Sequence, residues 1–195
     1  MPLYALLMLV FAYLLGSIPT GFLLGFFSGV DVRREGSGNV GATNVARVVG
    51  KRQGFITLLG DVAKGFVPVY LSVHLGFHLT ITGLVALVAF LGHLYPVFLK
   101  FRGGKGVAIA LGIFLSLAPM ATAVVVFVFA FVAMVSRVIS LASLIAAGFA
   151  PIAFWFFSYP PILIWLSLVI ALLIVFRHRE NIRRLISGVE PRFDL

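Results

Sequence analysis

"GKGVAIALGIFLSLAPMATAVVVFVFAFVAMVS", residues 104–136, carries a single charged side chain, Lys105. Whether this apolar run crosses a membrane once or twice decides the topology of everything around it. The Ala118-Pro119 step punctuates it, and division there gives two spans, 104–118 and 119–135. Outside this run, apolar stretches at 3–28, 54–73, 79–99, 138–157 and 161–176 carry the same signature of helices long enough to cross a hydrocarbon core. Seven spans place the N-terminus outside and the C-terminus in the cytoplasm. Fourteen of the fifteen Lys and Arg residues then lie on the inner side, with Lys64 the exception, as the positive-inside rule expects. Reading 104–136 as one span instead would carry the five arginines after residue 176 outside. The fold class is therefore an all-α membrane protein of about seven transmembrane helices, forming one integral-membrane domain over 1–195.

Composition agrees. The chain has 195 residues, 62% of them hydrophobic and 11% charged, with a mean hydropathy of +1.15, far more apolar than soluble domains. It has no cysteine, which excludes disulfides, thiolate metal sites and a cysteine nucleophile. The net charge of +9 points to anionic partners, lipid head groups or phosphorylated substrates, according to where the charge sits.

Three polar islands interrupt the apolar pattern, all on the inner side. "EGSGNVGATNVAR", 35–47, contains no aromatic residue, Leu or Ile. Gly36, Gly38 and Gly41 permit positive φ and let backbone N–H groups face a ligand, while Ser37, Asn39, Thr43, Asn44 and Arg47 add side-chain donors. The loop suits an anion; a solvated connector is the plainer alternative. "GHLYPVFLKFRGGKG", 92–106, sets Gly103, Gly104 and Gly106 about Lys105, which fits phosphate binding at a helix start or a basic topology anchor. It is not a Walker A loop, because Gly106 follows the lysine where Ser or Thr is required. "RHRENIRRL", 177–185, places His178 and Asn181 at helical spacing, although a polybasic interfacial helix also explains its arginines.

Inside the second span, Asp61 and Lys64 stand three residues apart. Intramembrane charges are by default functional or paired, and a structural ion pair orienting the loop above them is at least as good a reading as catalysis. "GSIPTG", 16–21, reads as helix packing. Arg137, Ser140 and Ser143 line an inner cavity or make ordinary interhelical hydrogen bonds. Only six carboxylates are present, with no Asp cluster to hold magnesium, which argues against metal-dependent phosphatidyltransferases. No HxxxxD arrangement of the other glycerophosphate acyltransferases occurs either.

"GSGNVGATNVAR", "GHLYPVFLKFRGGKGVA" and "RHRENIRRL", with "GSIPTG" and "GDVAKG", resemble in order the signature segments of the bacterial acyl-phosphate:glycerol-3-phosphate acyltransferases, the PlsY family. The resemblance runs from Gly16 to about Glu190. Val40 stands where proline is expected, and Arg102 and Ile109 where lysine and threonine are commoner. It implies transfer of a fatty acyl group from acyl phosphate to the sn-1 hydroxyl of glycerol 3-phosphate, giving lysophosphatidate and phosphate, with no cofactor and no metal. Its implied catalytic residues are Ser37, Arg47, Lys105, His178 and Asn181. Substrate contacts are expected from Asn39, Gly41, Ala42, Thr43, Asn44, Gly103, Gly104, Gly106, Arg137 and Ser143. Asp61 and Lys64 are expected to be structural, as is Glu180, which would pin the tail by pairing with a loop arginine. The implied setting is a monomer in the bacterial inner membrane, in contact with lipid, with its active site on the cytoplasmic face and no nucleic-acid partner. Two other classes compete. A carrier for an anionic solute would place polar groups at the midplane with exits on both sides, and a lipid-binding scaffold would explain the arginines but not three separate islands.

Overall fold

A computed structural model describes residues 3–193. Among these residues there is no strand, and ten α-helices follow one another: α1 (Leu3–Ser17), α2 (Thr20–Phe27), α3 (Ala42–Val48), α4 (Lys51–His74), α5 (Leu79–Leu94), α6 (Val107–Leu117), α7 (Pro119–Ser136), α8 (Ile139–Phe156), α9 (Pro161–Arg177) and α10 (Arg179–Ile186), with a 3₁₀ turn at Val97–Leu99. The expected Ala118-Pro119 boundary is present. Pro119 and Pro161 occupy the first turns of α7 and α9, where the missing N–H costs nothing and the fixed φ suits a helix start.

The apolar segments match the expected spans with two differences. The first, 3–28, is two helices rather than one, broken at Ile18 and Pro19. The fourth is α6, of 11 residues, about 17 Å at 1.5 Å per residue and well short of a hydrocarbon core of about 30 Å. Five segments are long and apolar enough to cross by themselves, and a sixth results if α9 and α10, which meet at a 61° bend, count together. Many large apolar side chains on these helices face outward, among them Leu7, Phe11, Phe127, Phe131, Trp155 and Trp165, as a lipid-facing surface requires.

The chain forms two compact units, residues 1–116 and 117–195. In the first, α1 lies against α4 and α5, and α3 against α4. The close approaches occur at glycines. A Cβ on Gly16 would strike the Ala89 carbonyl oxygen, one on Gly92 that of Tyr13, one on Gly65 that of Ile109, and one on Gly112 that of Val62. Helices in lipid gain little from hydrophobic burial against each other and rely on such small-residue contacts, so the packing role expected for "GSIPTG" agrees with the structure. In the second unit, α8 packs between α7 and α9 in chain order. Its buried face is mostly small, Ser140, Ala142, Ser143, Ala146, Ala147, Ala150 and Ala153, and ends on the large Phe154.

Replacing Gly16 by Val should force α1 away from α5 and cost about 1–3 kcal/mol, as overpacking does. Gly148→Ala, where a Cβ meets nothing within 4 Å, should be neutral. Apparent thermal midpoints of the two purified variants in detergent measure the difference.

Candidate active site

Residues 28–50 fold over a small apolar core completed by Leu99 and Phe22. Val32, Val40, Val45 and Leu99 are buried, with Phe22, Val48 and Val49 packed against them. This is not the arrangement of a solvated connector. Its polar centre is Asn44, only 2% exposed. The amide nitrogen donates to the carbonyls of Val32, Glu35 and Asn39 at 3.0, 3.1 and 2.9 Å, and its oxygen accepts the Ser37 N–H at 2.8 Å. Gly36 and Gly38 take positive φ, 59° and 68°, and a Cβ on Gly36 would strike the Asn44 oxygen.

Two expectations change here. Asn44 faces into the loop and not towards a ligand, because both its donors are already engaged with backbone. Gly41 has φ −80°, an extended conformation, and needs no left-handed freedom. Of its candidate side-chain donors the loop exposes Ser37, Thr43 and Arg47, with Asn39, Gly41 and Ala42 half-buried between them. At the rim, Asp31 chelates the Arg33 guanidinium through two bonds of 2.9 Å, and that guanidinium lies 4.5 Å above the Phe22 ring. Arg33 holds the Asp31 carboxyl down at about 2.

The Gly103–Gly106 segment differs from expectation in the same direction. The Gly103 N–H donates to the Leu94 carbonyl and the Gly104 N–H to the His93 carbonyl, both at 3.1 Å. Those two N–H groups belong to the fold, not to a phosphate. Their lack of a side chain serves packing, since a Cβ on Gly103 would meet the His93 carbonyl oxygen and one on Gly104 the His93 ring. Gly106 does take a left-handed φ of 92° and turns the chain into α6, whose first N–H groups have no acceptor within the helix. Lys105, half-buried, stands directly before this turn. The segment therefore offers an ammonium and a helix start, which attract an anion together.

Beneath these segments lies the buried pair. Asp61 and Lys64 are 2% and 5% exposed and 2.9 Å apart. The Lys64 ammonium also donates to the Ile18 carbonyl at 2.7 Å, at the break between α1 and α2. This supports the structural reading of the pair. His93, 5% exposed, brings its Nδ1 to 3.9 Å from the Asp61 carboxylate. Sequence reading gave His93 no role; as an ionisable residue in an apolar helix it carried a usable signal.

In the second unit, His178 sits at the bend between α9 and α10, 3% exposed, with Nδ1 2.8 Å from the Ile174 carbonyl. A carbonyl only accepts, so Nδ1 carries the proton and Nε2 is the basic nitrogen. Asn181, 5% exposed, donates to Glu190 at 2.5 Å, and Arg184 donates to the same carboxylate at 2.6 Å. Glu190, not Glu180, thus pins the tail: Glu180 is exposed and has no ion-pair partner among the described residues. The Phe193 N–H then reaches the Arg137 carbonyl at 2.9 Å. Arg137 itself, at φ 58°, is the exposed turn residue ending α7 and does not share a face of α8 with Ser140 and Ser143. The Ser143 hydroxyl bonds the Ile139 carbonyl at 2.8 Å, one turn back in its own helix. Among the described residues no group of three or more His, Asp or Glu side chains is arranged to hold a metal ion.

Asn44→Ala should strip the loop of its centre and cost about 2 kcal/mol, since several backbone groups lose partners together, and limited proteolysis between residues 33 and 47 should accelerate. Burial raises the Glu190 pKa, but hydrogen bonds from Asn181 and Arg184, with Ser140 nearby, outweigh it and leave the net value below the ordinary 4.5. A lowered folded value means that the clamp's stabilisation is complete above pH 4.5 and lost as pH falls through the folded value. Cleavage of the tail after residue 186 by an acid-active protease should rise in that window, and Glu190→Gln should show the faster cleavage already at neutral pH.

Three comparisons converge. The family model described as glycerol-3-phosphate acyltransferase matches residues 6–188. The glycerol-3-phosphate acyltransferase of Geobacter metallireducens is 52% identical over 191 residues, covering 98% of both chains, and that of Geotalea daltonii is 48% identical over 188 residues, covering 96% of this chain and 97% of its own. Two crystal structures of PlsY (YgiH), an integral membrane glycerol 3-phosphate acyltransferase, superpose closely. The glycerol 3-phosphate form has a TM-score of 0.95 and 42% identity over 98% of this chain and 96% of that one, and the lysophosphatidic acid form a TM-score of 0.92 and 41% identity. With the helical membrane fold and the signature segments matched from end to end, this chain belongs to the glycerol-3-phosphate acyltransferase family.

Proposed function

We propose that this acyltransferase takes its acyl group from acyl phosphate and passes it to the sn-1 hydroxyl of glycerol 3-phosphate, releasing lysophosphatidate and inorganic phosphate without a metal ion. The hydroxyl oxygen attacks the acyl carbonyl, the new ester C–O bond forms, and the C–O bond to phosphate breaks. Phosphate leaves with the anhydride oxygen. The observation that carries the reading is the Asn44-centred loop, which holds Ser37, Thr43 and Arg47 on the surface of a folded scaffold. A mixed anhydride already has a good leaving group, so the protein's task is positioning and neutralisation of charge.

In this scheme Arg47 and Ser37 contact a substrate phosphate, and Lys105 with the start of α6 holds the phosphate of glycerol 3-phosphate. The N–H groups near Gly41 and Ala42, with Thr43, face the acyl carbonyl, where charge builds up as the tetrahedral intermediate forms. His178 and Asn181 orient glycerol 3-phosphate. His178, with its proton on Nδ1, offers Nε2 as one acceptor for the hydroxyl proton, and the substrate phosphate is the other. Direct transfer is favoured over an acyl-Ser37 intermediate, since no His or Asp among the described residues bonds the Ser37 hydroxyl.

The setting proposed is a monomer with seven crossings of the bacterial inner membrane, N-terminus outside, one catalytic domain, and its site on the cytoplasmic face. The distribution of Lys and Arg supports that orientation, and the short α6 fits as the inner part of a crossing.

Purified protein in detergent, given acyl phosphate, labelled glycerol 3-phosphate and EDTA, should form labelled lysophosphatidate. No product, or product only when magnesium is restored, overturns the reading. Arg47→Ala and Lys105→Ala should each lower kcat/KM at least a hundredfold, the loss of about 2.7 kcal/mol expected for a charged hydrogen bond to phosphate, while the thermal midpoint stays unchanged.

A further inference from the structure

Buried charges in a membrane interior are expensive and need a reason. Asp61, Lys64 and His93 form such a cluster, and none of them is among the groups proposed to touch substrate. A cavity of about 10 Å³ lies among them, bounded also by Ser17, Thr20 and Gly103. The cluster connects three places. Lys64 holds the Ile18 carbonyl at the α1–α2 break. Asp61 faces Lys64 at 2.9 Å and the His93 Nδ1 at 3.9 Å. The His93 residue in turn contacts the segment before Lys105 twice, through its carbonyl oxygen, which accepts the Gly104 N–H, and through its ring, which fills the space a Gly104 side chain would need.

We propose that His93 is a positioning residue for Lys105: its ring, facing the Asp61 carboxylate of the Asp61–Lys64 pair at 3.9 Å, is the floor on which Gly104 rests, so a buried charge pair fixes the depth of the phosphate-binding lysine. The Asp61–Lys64 pair is then more than a stabilising contact. It ties the ring orientation of α5 to the helix break in α1–α2, and the glycine at 104 is required by the ring beneath it. This proposal rests on the reading of Lys105 as a ligand for the glycerol 3-phosphate phosphate.

The test is a rescue. Gly104→Ala pushes a Cβ into the His93 ring and should raise KM for glycerol 3-phosphate at least tenfold, leaving KM for acyl phosphate within twofold of the parent. His93→Ala should do the same by removing the floor. In the double variant the new methyl group occupies space the ring has vacated, and KM should fall back at least threefold from that of Gly104→Ala alone. A double variant no better than Gly104→Ala, or single variants that lower only the active fraction with both KM values unchanged, overturns the proposal.

His93→Phe keeps the bulk, and so the fold, but loses the Nδ1 contact with Asp61. It should raise KM for glycerol 3-phosphate about fivefold, and kinetics equal to the parent's overturn the anchoring by Asp61, whether or not His93→Ala can be purified. Lys105→Ala assayed alongside separates the two readings. If that variant is fully active, the role given to Lys105 fails; if it is inactive while the His93 and Gly104 variants behave as the parent, only the positioning proposal fails.

Discussion

A polar group in a hydrocarbon interior must find its partner within the protein, and this constraint organises the first unit. The break at Ile18 and Pro19 takes a carbonyl out of the helical ladder, where water is not at hand to satisfy it. Lys64 donates to it. An ammonium there is tolerable only with an anion beside it, and Asp61 supplies one at 2.9 Å. The carboxylate then has further acceptor capacity, met by the Lys64 and Thr20 side chains, with the His93 Nδ1 facing it at 3.9 Å. These groups come from three stretches of chain, the α1–α2 break, α4 and α5, so satisfying one carbonyl relates α1, α2, α4 and α5.

The same accounting changes the meaning of the glycines. A glycine-rich segment beside a lysine invites the reading that bare N–H groups await a phosphate. Here the N–H groups of Gly103 and Gly104 are bonded to the carbonyls of Leu94 and His93, which lie in the last turn of α5 and lack helical N–H donors of their own. The glycines close the end of one helix and set up the start of the next. What the segment brings to the proposed site is smaller and better defined: the Lys105 side chain and the first turn of α6. The upstream loop behaves alike, for Asn44 uses its amide to gather four backbone groups, and its neighbours, not Asn44 itself, are left on the surface.

This difference marks how far the sequence can be read. Helix existence and the membrane environment follow from composition and apolar length, and the Ala118-Pro119 boundary follows from proline's fixed φ. Which residues are unusual was also legible: Ser37, Asn44, Arg47, Asp61, Lys64, Lys105, His178 and Asn181 are all polar residues in conspicuous surroundings. Whether such a residue faces a ligand or the backbone was not, because that depends on the direction of a side chain whose partners are distant in the chain. Asn44 and Val32 are twelve positions apart, and Lys64 and Ile18 forty-six. The tail shows the same limit. Glu180 and Glu190 are both acids near arginines, but only a chain reversal after α10, through Gly188 at φ 71°, brings Glu190 back to Asn181 and Arg184.

Rigid polar scaffolding of this kind suits the proposed transfer from acyl phosphate. When the leaving group is already good, little is gained from a strong acid or a tuned nucleophile, and rate depends on bringing two anions together and meeting charge as it develops. Fixed dipoles do this best when they need not reorganise, and each such dipole must be held by bonds to groups that do not react. The His178 imidazole is held by the Ile174 carbonyl, Asn181 by Glu190, and the 35–47 loop by Asn44. A side chain engaged on one side has fewer orientations left on the other, so the residues bonded to backbone and the residues exposed to solvent are two parts of one arrangement. The buried partner limits where the exposed one can point, and its removal should therefore affect substrate affinity even though it touches no substrate.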